Sequence, residues 1–135
     1  MALERPIFID SYQTGEDLSA DASLYKFVKL SAGKVVACTA VTDKPIGVLQ
    51  AVMGTAGANQ TASVCVLGQC LVRTGAAVAI AADDDLATDA SGKAQPCVAG
   101  TDTTKRNVGR ALEAGAAVDV IISAYINCMN PGRAA

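Results

Sequence analysis

A chain of 135 residues has the length of one ordinary domain, and because it is 51% hydrophobic but only 4% aromatic, with neither Trp nor His, its core must be packed from Val, Ile, Leu and Ala. The net charge of −2 gives no basic field for phosphates and argues against nucleic acid as a partner, while the lack of histidine removes the commonest general base and activator of nucleophiles. The five cysteines, Cys38, Cys65, Cys70, Cys97 and Cys128, show no C-x-x-C spacing, so they read as small buried hydrophobes in a reducing compartment and not as a disulfide framework or a metal site.

In chain order, Glu4 and Arg5 precede only a brief apolar run, which fits neither a signal peptide nor a membrane span. Pro6, Ile7, Phe8 and Ile9 form a short, strongly β-prone stretch followed by about fifteen polar and small residues. This stretch reads either as an edge strand of the main body or as an arm that adds a strand to a partner's sheet. The division expected is an arm over 1–20 and a single β domain over 21–135.

Next, YKFVKL, the Ser31-Ala32-Gly33 interruption and the β-branched run from Val35 predict a strand, a tight turn and a second strand. KPIGVLQAV at 44–52 predicts a further strand opened by Pro45, and GTAGANQ an exposed loop. TASVCVLGQCLVRTG predicts two apolar strand segments meeting near Gly68. The alanine-rich stretch at 76–83 predicts a short helix or turn. Asp83, Asp84 and Asp85 read as a solvated turn, since calcium loops alternate their ligands and carry a glycine bend and a distal Glu.

The second half then repeats the first. SAGKVVACTAVTD at 31–43 and ASGKAQPCVAGTD at 90–102 align Gly33 with Gly92, Lys34 with Lys93, Cys38 with Cys97 and Asp43 with Asp102, and downstream Gly47 meets Gly109. The copies predicted are about 25–70 and 84–128, with Pro6–Ile9 in neither. A unit of this size leaves a hydrophobic face and strand edges unsatisfied, and two copies bury and pair them. The expected fold is therefore all-β, a small β-barrel with an approximate internal two-fold repeat and an extended N-terminal arm. SAGKVV lacks the glycine spacing and following helix of a phosphate loop, so no catalytic residue, cofactor or metal ligand is assigned and the chain is not expected to be an enzyme.

The start PIFIDSY, the segment Asp43, Pro45, Gly47, Val48, Leu49 and Gln50, and the turn Asp89, Gly92 and Lys93 resemble the capsid decoration (cement or head-stabilising) proteins of tailed bacteriophages over about 6–130. The resemblance implies a β-tulip or β-clip-like core, a homotrimer, and a virion location on the outer capsid surface after synthesis in the host cytoplasm. It also implies that the major capsid protein is the partner and that Pro6, Ile7, Phe8 and Ile9 engage it, with neither nucleic acid nor membrane involved. The alternatives are a head-fibre or adaptor base that binds host surface material, and a small ligand-binding or enzymatic β-barrel.

Overall fold

Apolar and β-branched residues that alternate with polar ones fix most of the strands, because successive side chains of a strand point to opposite faces. The computed structural model describes residues 4–75 and 78–133. Its strands are β1 (Arg5–Gln13), β2 (Phe27–Ser31), β3 (Lys34–Ala37), β4 (Gly47–Met53), β5 (Thr61–Arg73), β6 (Asp85–Thr88), β7 (Ala94–Pro96), β8 (Arg106–Asn107), β9 (Gly109–Ala111), β10 (Ile121–Asn127) and β11 (Gly132–Arg133). The fold is all-β, with one 3-10 turn at Asp21–Ser23 and no α-helix among the described residues. Of the stretch expected as a helix or turn, residues 76 and 77 lie outside the described residues; 78–83 hold a bend, an isolated bridge at Ile80 and a turn.

One antiparallel sheet runs β3-β2-β4-β5-β10-β9-β6-β7, with β1 also paired to β5, and β8 and β11 form a separate ribbon. The large sheet curls strongly into a half-barrel. Parallel bridges Thr14–Val35 and Thr74–Ala94 bring the ends of β1 and β5 against β3 and β7.

The internal repeat extends to individual hydrogen bonds. Ile46 N–H donates to Val28 O in the first copy and Val108 N–H to Leu86 O in the second; Leu49 to Lys26 matches Ala111 to Asp84; Cys38 to Phe27 matches Cys97 to Asp85. The shared glycines have one physical cause, since a Cβ on Gly47 would lie 2.5 Å from Cys65 O and one on Gly109 would collide with Tyr125 O. Those two carbonyls belong to matching residues, because Val48 faces Cys65 across β4–β5 as Arg110 faces Tyr125 across β9–β10.

The unit is longer than the sequence suggests. The pairs Gln13–Thr61, Tyr12–Ala62 and Asp10–Val64 between β1 and β5 reappear 60 residues later as Arg73–Ile121, Val72–Ile122 and Cys70–Ala124 between β5 and β10. Thr14 and Thr74 both accept on their carbonyl, from Asn59 and Asp119, and on their hydroxyl, from the N–H of Gln60 and Val120. β1 is thus the counterpart of the second half of β5. Pro6–Ile9 belongs to the first copy, which corrects the expectation that it stands outside both. The first unit runs from β1 to the first half of β5, and the second from there to β10.

β5 serves both units by bending sharply. The Cα atoms of Cys65 and Cys70 are 6.6 Å apart, where five residues of straight strand would span about 17 Å. The bend joins these two cysteines in a disulfide, which corrects the expectation of a buried free thiol at both positions, while Cys38, Cys97 and Cys128 are free and buried as expected. Gly68 lies at the bend with φ +117°, and a Cβ there would run into the β1 backbone at Ile7 N, Pro6 Cα (2.9 Å) and Arg5 O (3.0 Å). Only glycine lets β1 pass so closely.

Each unit has its own core. Val28, Val35, Leu49, Ala62, Val64 and Val66 fill the first, and their counterparts Leu86, Ala94, Ala111, Ile122, Ala124 and Ile126 fill the second. Phe27, Cys38, Val48 and Cys65 are inside as well, but they pack from the far face of the first unit into the cluster of the second. That contact is closed by Gly92, at the tip of the β6–β7 hairpin, whose carbonyl accepts the Phe27 N–H at 2.6 Å.

Candidate functional site

With the cores filled, the chemistry available to partners lies on the outer faces. β1 presents Ile7, Phe8 and Ile9 in succession at 77, 44 and 48% exposure, although its backbone is paired to β5 of the same chain. Strict alternation would bury every second side chain. Here the register slips between Pro6 and Phe8 and again between Phe8 and Ile9, where β1 passes close over Gly68, and the alternation is broken. Pro6 suits this position because its missing N–H is tolerated at an edge or bulge. Among the described residues β5 is the sole strand in ladder with β1, so the other edge of β1 is open along most of its length.

Ile7 also lines a groove of about 570 Å³, together with Gly68, Gly109, Asp85, Arg110 and Tyr125. Tyr125 is 55% exposed. Arg110 Nε lies 3.5 Å from Asp83 Oδ1, a solvated pair of little energetic weight. The three consecutive aspartates do not converge. Asp83 turns to Arg110, Asp84 Oδ2 accepts the Ala81 N–H, and Asp85 lines the groove. Among the described residues no three His, Cys, Asp or Glu side chains are placed to hold a metal ion.

Charged groups elsewhere hold loops. Asp43 takes the N–H groups of Thr39 and Ala40 and the Lys29 ammonium at 2.8 Å; burial raises its pKa, but these donors outweigh it and leave the carboxyl below its ordinary value. Its counterpart Asp102 is lowered by the Val98 N–H and by Lys105 at 3.0 Å. Lys93 lowers Asp119 at 2.8 Å, and Arg73, 3.7 Å from the same carboxyl, donates to the carbonyls of Asp21 and Leu24 in the other unit. Burial, with Asp43 nearby, pushes the Cys38 thiol up to about 12, and burial raises Cys97 and Cys128 too. These thiols stay protonated at neutral pH, whereas the thiolate is the nucleophile.

No protein-family model matches the chain, and no curated protein matches it. No helix among the described residues is long and apolar enough to cross a membrane. Of the surface features, sequence reasoning found Pro6–Ile9 and missed Arg110 and Tyr125. Neither stands out in the sequence: strand pairing is what sets them, a charge and an aromatic, opposite Val48 and Cys65 of the first copy.

Proposed function

We propose that the protein is a structural decoration protein of a tailed-phage head, bound to the outer capsid surface and stabilising contacts between major capsid subunits. The observation that carries this reading is the run of exposed Ile7, Phe8 and Ile9 on a strand with an open edge. Contiguous apolar surface of this kind marks a protein interface, and an open edge accepts a partner strand through main-chain hydrogen bonds. The resemblance of the PIFIDSY start and the glycine turns supports the choice of a capsid as partner. The reading requires no catalytic centre, and a homotrimer bearing three such strands would bind with avidity, since after the first contact the others form as intramolecular events.

The test uses phage heads stripped of decoration, mixed with the full chain or with a variant carrying Ile7→Ser, Phe8→Ser and Ile9→Ser. The full chain is expected to sediment with heads and the variant to stay in solution. Equal binding by both overturns β1 as the contact, and binding by neither overturns the capsid role.

A further inference from the structure

The contact of a hairpin tip on the neighbouring unit's face is made in one direction only. The outer face of the first unit, a cross-strand row of Phe27, Val48 and Cys65, is fully buried, and the hairpin tip of the second unit closes over it through the bond from Phe27 N–H to Gly92 O. The same row in the second unit reads Asp85, Arg110 and Tyr125, and it lines the open groove. The tip that would cover it by repetition is Ser31–Lys34 of the first unit. That tip points away: a Cβ on Gly33 would meet nothing within 4 Å, whereas one on Gly92 would meet Phe27 O at 3.0 Å and Cys38 O at 3.3 Å.

We propose that the Asp85–Arg110–Tyr125 face binds the β2–β3 hairpin tip of a second copy of this chain, repeating between molecules the tip-on-face contact made within each one. The two tips have the same form, since Gly33 and Gly92 share a φ of +77° and +78° and each precedes a lysine. The faces differ as the two situations demand. A face covered within its own chain is apolar, whereas one that meets its partner after folding carries Tyr and Arg, residues enriched at interfaces, and remains soluble until then. The free tip adds Leu30, 47% exposed, as an apolar anchor.

A tip-to-face contact is heterologous, so successive copies build a closed ring or an open filament, and three chains closing would place six β units around one axis. The inference gives the self-association in the proposed function a surface but stands without a capsid. Its test uses the full chain alone, so its failure is distinct from failure to bind heads.

Light scattering over a dilution series should give the wild-type chain a mass that is a multiple of 13.6 kDa and falls on dilution. Arg110→Glu on the face and Ala32→Trp on the tip, both at exposed positions, should each give a single-chain mass with an unchanged circular dichroism spectrum. An equimolar mixture of the two should recover a two-chain species, because one variant keeps an intact tip and the other an intact face. Tyr125→Ala serves in place of Arg110→Glu if the latter does not fold. A wild-type chain that stays single at every concentration, a variant that assembles like wild type, or a mixture that stays single overturns the proposal.

Discussion

The two units agree on the inside and differ on the outside. Inward positions exchange one aliphatic residue for another, with size traded between neighbours: Leu49 and Val64 become Ala111 and Ala124, while Ala62 and Val66 become Ile122 and Ile126. Volume-conserving swaps of this kind cost little. The outward row changes character completely, from Phe27, Val48 and Cys65 to Asp85, Arg110 and Tyr125. A packed interior accepts any aliphatic set of the right total volume, so the inner pattern reports the fold. The outer row reports what each face meets, and for the first unit that is the second unit.

The largest effect expected from this contrast separates Phe27 from Tyr125. Phe27→Ala empties a fully buried site between the units and should destabilise the protein by about 3–5 kcal/mol, while Tyr125→Ala should change its stability by less than about 1 kcal/mol. Urea unfolding of both variants measures the difference; comparable losses would mean that the Tyr125 face is part of the core. A smaller effect divides the hairpin tips. Gly33→Ala carries only the backbone cost of a left-handed residue, about 1–2 kcal/mol, whereas Gly92→Ala adds crowding against the Phe27 and Cys38 carbonyls and should cost more. Equal losses would remove the tip-on-face contact as a source of stability.

The smallest effect is the acid sensitivity of the paired turns. Asp43 and Asp102 both have lowered pKa values in the folded chain, so their contribution is fully present above the ordinary carboxyl pKa of about 3.9 and is lost as pH falls through the lower folded values. Asp43→Asn and Asp102→Asn should therefore lower stability at neutral pH and flatten its dependence on pH below about 4. Asp43 should show the larger change, because it is less exposed and accepts two backbone N–H groups and a lysine. Melting curves from pH 2 to 7 decide this, and an unchanged acid limb in both variants would show that these turns do not govern it.

Much of the architecture was readable from glycines and turn residues, because these answer to backbone geometry that both copies share. Gly47 and Gly109 face the same carbonyl approach, and Gly33 and Gly92 the same positive φ, so each pair remains identical while the residues around it drift. β1 escaped recognition as part of the repeat because its role is met by main-chain pairing, which accepts almost any β-forming sequence. All that links RPIFIDSYQTG to CVLGQCLVRTG is the closing Thr-Gly, where the threonine hydroxyl caps a loop in both units. The bend in β5 was equally hidden, since an interior Gly signals a kink without giving its angle. That angle brings Cys65 and Cys70 together, and the expected copy ends, residues 70 and 128, lie two residues off the spacing at which β5 and β10 correspond, as Cys65 and Tyr125 do. The surface at Pro6–Ile9 was visible as a hydrophobic run. Arg110 and Tyr125 become informative only once strand pairing shows which residues they replace.

Because one strand closes the first unit and opens the second, the border between them falls within a hydrogen-bonded ladder and not in a linker. Melting should be a single concerted event, and cutting the gene between the copies should yield two insoluble fragments. Foreign peptides grafted for display are better placed in the 54–59 loop, where the turn is exposed and neither core is interrupted.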